Sequence, residues 1–521
     1  MKPNPCLPPI IQDLINPGAY PENIAEPIGL IETHISWVLL AGSYAYKIKK
    51  PVNFGFLDFS TLEMRRASCL EELRVNKRYS PDLYIGVTPI CGTPPFSRID
   101  GNGDAVEYAV VMSRFPPDQT FDQLAAAGTL TTDHILLFAE LLAHFHLTLP
   151  PAQEKAGISA LRHADHFVAA NFEHLFSQVD AYPQRGDLES LAEWTLNERA
   201  RREKQLLVRS KEGHIRECHG DLHLGNVVLL GDRVRLFDGI EFNADLRWID
   251  TLNEVAFPLM DLEVQGHPDL AYRFLNRYLE LTGDYDGICV LDYYRLYRAM
   301  VRAKVASLRR QQTSDQNERA AIDRQLQRFI DYGLRLIQPK QPKLIIMHGL
   351  SGSGKSVLAS DLAAQLPGIR IRSDIERKRS QLSKSAAEDE PPTNLYHPDQ
   401  IRATYERLLS KARCILQCGH TVILDATFLR HEWRKHALLI ANECHAEFHI
   451  VDCQAPVELL QDRIQARRKD ACDPSDADMT VLERQMGESE PLTGDEHSYA
   501  ISVDTSLDDP NRRVLRAFPN T

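Results

Sequence analysis

The sequence lacks several features that would decide its class at once. No apolar stretch approaches the roughly 18 residues of a membrane span, so a membrane-embedded chain is not expected. The opening MKPNPCLPPIIQDLINPGAYPEN is broken by prolines and has no continuous apolar core, so it is not expected to be an export signal. The ten cysteines are scattered from Cys6 to Cys472 without a CxxC pair, which excludes a disulfide scaffold or a zinc ribbon and leaves reduced core thiols as the expectation. Cys414 and Cys418 lie one helical turn apart, two thiols on one face. There is no basic excess either. With 60 Lys+Arg against 72 Asp+Glu the net charge is -12, the wrong sign for a protein that coats nucleic acid. No internal repeat at a fixed period is visible. The expectation is a soluble cytoplasmic protein.

The composition that is present, 43% hydrophobic and 25% charged over 521 residues, is ordinary for a globular chain of two to four domains. The clearest division lies at 338–343, QPKQPK, where two prolines among polar residues end a helical pattern and form a short stiff connector. Before it, Ile322, Leu326, Phe329, Ile330 and Leu334 recur at helical spacing; after it, KLIIMHG reads as a buried strand feeding a loop. This predicts one domain over 1–337, a linker at 338–343 and a second domain over 344–521. Within the first, residues 31–112 hold strand-like runs around one helical stretch, and the pattern from about 120 to 210 is mainly helical. The predicted plan is an α+β, two-lobed N-terminal domain followed by an α/β domain with a parallel sheet. Residues 383–394, SKSAAEDEPPTN, read as a mobile surface loop.

GLSGSGKS, Gly349 to Ser356, fits G-x-x-x-x-G-K-[ST] between an apolar strand and a helical run, VLASDLAAQL. In such a loop Gly349, Ser351, Gly352, Ser353 and Gly354 wrap the backbone around a phosphate chain, so that consecutive N–H groups and the helix N-terminus face the anion. Lys355 reaches the β/γ-phosphates and the Ser356 hydroxyl ligates Mg²⁺, which makes ATP·Mg²⁺ the expected cofactor. Asp374, after the alternating run IRIRSD, is placed at a strand end to accept a proton from an acceptor hydroxyl. Asp425, closing TVILDATF, is placed to hold Mg²⁺ through water, although a strand-terminal turn also favours Asp. DRIQARR sets Arg463, Arg467 and Arg468 on successive turns, either a lid facing the transferring phosphoryl group or a solvated helix face.

Residues 343–505 resemble the small P-loop kinases that phosphorylate hydroxyls: polynucleotide 5′-kinases, gluconate kinases and chloramphenicol phosphotransferase. The resemblance implies Asp374 as general base and Arg463 or Arg467 as phosphate clamps.

HGDLHLGN, His219 to Asn226, carries His, Asp and Asn at the offsets H-x-D-x-x-x-x-N of a kinase catalytic loop. Asp221 is placed to take the acceptor proton and Asn226 to bind Mg²⁺. Asp238, twelve residues beyond Asn226 and past a strand–turn–strand, supplies a second oxygen ligand for a hard cation. In AYKIKK, alternation puts Ala45, Lys47 and Lys49 on one strand face, with Lys47 the phosphate-contacting lysine and Lys49 the alternative. Glu71 and Glu72 lie on the following helical stretch, and Glu72 is the chosen partner for that lysine. Asp250 is read either as support for the catalytic loop or as a helix cap.

These residues resemble the aminoglycoside phosphotransferase and choline-kinase branch of the protein-kinase-like fold, over roughly residues 30–310. Asp238 is followed by Gly-Ile rather than Phe-Gly, and only Ala41-Gly42-Ser43 stands where protein kinases carry a longer glycine-rich loop. The order of the two halves resembles that of bacterial two-domain proteins fusing a phosphotransferase domain to an ATP-binding domain. The expectation is a bifunctional phosphotransferase (kinase) acting on hydroxyl groups of small molecules through two separate ATP·Mg²⁺ sites. Two alternatives stand beside it. In one the C-terminal half is a polynucleotide 5′-hydroxyl kinase, with KRSQLSK and RIQARRK as its basic runs. In the other, one half is a non-catalytic nucleotide sensor that regulates its neighbour.

Overall fold

The computed structural model describes residues 7–53, 57–178, 185–385, 397–469, 478–507 and 510–518. By packing they fall into two compact units. One comprises 1–137, 145–173 and 206–261; the other comprises 138–144, 174–205 and 262–521. The helices Pro268–Thr282, Ile288–Gln312 and Gln316–Leu336 therefore belong to the same unit as the P-loop strands. The expected division at 338–343 follows the motifs, and this one follows the packing. The segment 383–394 read as a surface loop lies largely outside the described residues, which omit 386–396.

The first unit is built on an antiparallel sheet of β1 (Gly29–Glu32), β2 (Ser36–Ala41), β3 (Tyr44–Lys49), β4 (Tyr84–Cys91), β5 (Arg98–Ile99) and β6 (Ala105–Ser113), in the order β1-β2-β3-β6-β4-β5. The period-2 alternation of β2 and β3 sorts their side chains between two cores. Leu39, Tyr46 and Ile48 join Ile11, Leu14 and Trp37 on one face. Val38, Leu40 and Ala45 join Cys69 and Leu73, from the helix Leu62–Lys77, on the other. That helix is capped at its start by Thr61, whose hydroxyl accepts the Met64 N–H at 3.2 Å. Lys47 and Lys49 share the helix-side alternation with Ala45, so the strand aims both ammoniums toward the helix. Two short antiparallel pairs complete the unit: β7 (Ile215–Glu217) with β10 (Trp248–Asp250), and β8 (Val227–Leu230) with β9 (Arg233–Leu236). The turn between β8 and β9 is Gly231-Asp232, with Gly231 in the left-handed region.

The second unit contains a parallel sheet of β11 (Lys343–His348), β12 (Gly368–Arg372), β13 (Thr421–Asp425), β14 (Glu447–Gln454) and β15 (Ala500–Asp504), ordered β12-β13-β11-β14-β15. Leu344 to Met347 are fully buried, as a central strand covered on both faces requires. Ile345, Met347, Ile423 and Val451 pack on Leu358, Ala359 and Leu362 of the helix Lys355–Gln365. The P-loop strand thus sits at the middle of the sheet, and its helix starts where the strand's carboxyl end opens.

One expectation is corrected here. The cysteines are not all reduced thiols: Cys289 and Cys418 form a disulfide, and Cys414 Sγ lies 3.6 Å from Cys289 Sγ. The partners are 129 residues apart, so no spacing pattern announces them, and the helices Ile288–Gln312 and Pro398–Gln417 bring them together. Cys69, Cys91 and Cys453 remain buried thiols.

Candidate active sites

In the first unit Lys47 donates to Glu72 Oε1 at 2.8 Å and also contacts Asp238 Oδ1. Lys49, fully buried, bonds the other Glu72 oxygen and Glu241. Glu72 therefore bridges both lysines, whereas Glu71 turns away to Arg74 at 2.7 Å and Arg247 at 2.5 Å. Burial alone would raise the Glu72 carboxyl, but the ammoniums of Lys47 and Lys49 override it and hold it below its usual range. Burial likewise opposes the Asp238 charge, and Lys47 reverses that, bringing it down to about 2. Burial works against the charge of Lys47, and Asp238 and Glu72 more than offset it, so its pKa stands well above normal. All three groups are ionised at neutral pH.

Asp238 occupies the left-handed region, φ 61°, an uncommon position for a non-glycine residue. It is held there because its N–H donates to Tyr84 Oη at 2.9 Å, while the next N–H, of Gly239, donates to Asn76 Oδ1 at 2.8 Å. The catalytic-loop candidate is fixed from several sides. Asn226 Nδ2 donates to the Asp221 carbonyl at 2.9 Å, His219 Nε2 bonds the Phe237 carbonyl at 2.8 Å, and the Ile240 N–H donates to the His219 carbonyl at 3.1 Å. The Asp221 side chain is partly exposed, with His223 Nε2 at 3.7 Å from Oδ2.

The support for this loop comes from Glu254 rather than Asp250. Glu254 Oε1 accepts the N–H groups of His219 at 2.6 Å and Gly220 at 2.8 Å, and Oε2 pairs with His146 at 2.8 Å. Asp250 instead binds Arg209 in a two-pronged pair and accepts the Leu252 N–H at 2.9 Å. Glu241, Glu254 and His146 are site residues the sequence did not single out; the only signal was an acidic residue inside an apolar run, IEF or NEVAF.

In the second unit a cavity of about 920 Å³ opens over the P-loop, lined among others by Lys355, Ser356, Asp374, Asp425, Arg463 and Trp433. The glycines are required by their surroundings. A Cβ on Gly349 would lie 2.4 Å from the Cys453 carbonyl oxygen, and one on Gly352 would lie 2.7 Å from that of Leu460; both residues have positive φ. The Ser351 N–H donates to Gln485 Oε1 at 2.8 Å, so an amide of the loop already faces an oxygen acceptor. Ser353 is buried beside Lys355, whose ammonium lies 3.3 Å from the Ser353 hydroxyl and 2.6 Å from the Leu350 carbonyl.

Ser356 Oγ donates to Asp425 Oδ1 at 3.1 Å, and Asp425 Oδ2 is buried with no hydrogen-bond partner among the described residues. Arg372 Nε lies 3.7 Å from that second oxygen, and a hydroxyl beside a carboxylate is an oxygen donor set that fits a hard divalent cation such as Mg²⁺. Asp374, at the start of the helix Ser373–Ser385, accepts from Arg377 at 2.7 Å. Arg463 donates to the Gly352 carbonyl at 3.2 Å and to Thr505 Oγ1 and O at 3.0 and 2.7 Å, which ties its helix to the P-loop. Arg467 lies in the same helix, Val457–Lys469, and its side chain falls outside the described residues.

Two family models match this chain; one takes in Asp221, Asn226 and Asp238 but not Lys47 or Glu72, and the other takes in the P-loop with Asp374 and Asp425. The phosphotransferase enzyme family matches residues 94–291 and the AAA domain matches residues 344–492. These matches support a phosphotransferase, with the domain order that the motifs suggest. Across most of its length the chain is 31% identical to the uncharacterized proteins Rv2004c of Mycobacterium tuberculosis (strain H37Rv) and Mb2027c of Mycobacterium bovis, over 456 residues that cover 86% of this chain and 88% of each relative. The chain belongs to the family of these mycobacterial proteins. Among solved structures, a gluconokinase from Sinorhizobium meliloti 1021 is 20% identical and covers 34% of this chain and 93% of its own, with a TM-score of 0.26. The APS kinase of Mycobacterium tuberculosis, solved with AMPPNP and APS, is 20% identical and covers 35% and 98%, with a TM-score of 0.23.

Among the described residues no helix is long and apolar enough to cross a membrane.

Proposed function

We propose that this protein is a bifunctional kinase that transfers the terminal phosphoryl group of ATP to hydroxyl groups of small molecules at two separate sites. The observation that supports this reading is that each half carries a lysine, a candidate base and candidate Mg²⁺ ligands of its own. In the N-terminal, two-lobed kinase-like domain these are Lys47, Glu72, Asp221, Asn226 and Asp238. In the domain following 338–343 they are the P-loop, Asp374 and Asp425.

At the first site Lys47, held by Glu72, contacts the phosphates; Asp221 accepts the acceptor proton; Asn226 and Asp238 hold Mg²⁺. At the second, Lys355 and the loop amides take the phosphates, Ser356 and Asp425 hold Mg²⁺, Asp374 accepts the acceptor proton, and Arg463 with Arg467 neutralises charge on the phosphoryl group. A Mg²⁺ ion held by these residues would supply positive charge that offsets the charge of the phosphate groups.

The test is transfer of labelled terminal phosphate from ATP to fractionated metabolite pools by the full chain and by Asp221→Asn and Asp374→Asn. Each variant is expected to lose a different labelled product. Loss of the same product in both, or of none in either, overturns the two-site reading. Labelling of a 5′-hydroxyl oligonucleotide that disappears in Asp374→Asn would replace the small-molecule acceptor of the second site by a nucleic-acid end.

A further inference from the structure

We infer that Glu280 and Arg370 are positioning residues for the P-loop hydroxyl that ligates the metal, an inference that rests on reading the P-loop as a Mg²⁺·nucleotide site. Arg370 stands on β12, and its Nη1 donates to the carbonyl oxygen of Ser356 at 3.0 Å. Its Nη2 is bonded to Glu280, on the helix Pro268–Thr282. Both side chains are buried, 10% and 4% exposed. Ser356 is the second residue of the helix Lys355–Gln365, and its hydroxyl faces Asp425. One residue thus has its carbonyl held from behind by Arg370 and its hydroxyl presented in front. A carbonyl oxygen has two lone pairs, so the guanidinium bond adds to helical bonding rather than competing with it.

The base of Arg370 is fixed as well. Its N–H donates to Asn276 Oδ1 at 2.7 Å, and its carbonyl accepts from Tyr285 Oη at 3.4 Å. Asn276 and Glu280 are four residues apart and share one helix face, so the same helix sets the strand position and the guanidinium direction. The planar guanidinium holds its two N–H groups at fixed angles toward these partners, whereas a lysine ammonium is a compact point charge on a flexible stem. Ser356, Arg370 and Asp425 lie in the segment matched by the AAA domain, whereas Glu280 lies in the segment matched by the phosphotransferase family. A residue of one family segment therefore orients a metal-binding group of the other.

The experiment is calorimetric titration of ADP, with Mg²⁺ and with EDTA, into the full chain carrying Asp238→Asn to remove the metal contact of the other site. Glu280→Gln is expected to cut the Mg²⁺-dependent gain in ADP affinity about fivefold or more, while leaving metal-free ADP affinity within about twofold. Arg370→Lys should behave alike, and in a Ser356→Ala background Glu280→Gln should add nothing. If Glu280→Gln does not fold, Glu280→Asp, which keeps the charge and shortens the reach, is measured instead. An unchanged Mg²⁺ gain, or equal loss with and without metal, overturns the inference, as does the absence of any Mg²⁺ gain in the parent. Lys355→Ala separates the underlying reading: if it leaves ADP binding intact, the P-loop is not the nucleotide site and that reading falls. If it abolishes binding while Glu280→Gln changes nothing, only the positioning role falls.

Discussion

Asn276 donates through Nδ2 to the Gly368 carbonyl at 2.9 Å and accepts through Oδ1 from the Arg370 N–H at 2.7 Å, so one side-chain amide pairs with the outer edge of β12 as a neighbouring strand would. β12 is the end strand of the parallel sheet. Edge strands carry unpaired backbone groups and invite pairing with other chains, and a covering helix is one way proteins prevent it. Asn276→Leu leaves two buried backbone groups unpaired, for an expected loss of roughly 2–5 kcal/mol in chemical denaturation. A chain cut to 344–521 loses the whole covering helix and is expected to self-associate in sedimentation, and a soluble monomer would contradict this.

Glu254→Leu should act on the proposed first site without touching nucleotide. It removes the acceptor for the His219 and Gly220 N–H groups, so the turn carrying Asp221 loses its anchor. The expected outcome is a fall of about tenfold or more in transfer with ATP affinity within about twofold, because positioning acts on the transition state. Equal loss of ATP affinity would mean that the substitution disturbs the fold.

Lys355→Ala should weaken nucleotide binding at the P-loop about ten- to hundredfold, the scale of a lost charge-assisted contact of roughly 1.5–3 kcal/mol. Asp374→Asn should retain affinity and lose transfer. A matched loss of affinity in both variants would place Asp374 on the nucleotide rather than on the acceptor.

Acid should loosen the second unit through His420. Burial lowers this imidazole from its ordinary 6.5 to about 4, against a smaller opposing pull from Asp292. The folded state holds it neutral while the unfolded state protonates it, so its contribution is intact above pH 6.5 and is lost as pH falls toward 4. The loss over that window is on the order of 3 kcal/mol. His420→Gln is expected to flatten this part of the stability–pH curve, measured by denaturant titration between those limits.

Local groups were legible and remote partners were not. The P-loop reads from sequence because strand, glycines, lysine and helix are contiguous, and Asp221, Asn226 and Asp238 read for the same reason. Helical register narrowed the partner of Lys47 to two adjacent glutamates, and only packing shows that Glu72 faces it while Glu71 meets Arg247. Glu241, Glu254 and Glu280 resemble any acidic residue in a helix or loop until the chain brings Lys49, the His219 turn and Arg370 to them. Arg463, read as either a lid residue or part of a solvated helix face, gave no sign that it would bind Thr505 and the Gly352 carbonyl.

The Cys289–Cys418 bond encloses the connector, the P-loop and β12 in one covalent ring. A protease cut anywhere between the two cysteines severs the backbone without releasing a fragment. The nicked protein should run at full mass on a denaturing gel without reductant and as two pieces once a dithiol is added. Gels run only under reducing conditions would therefore report as cleaved a molecule that had remained covalently whole.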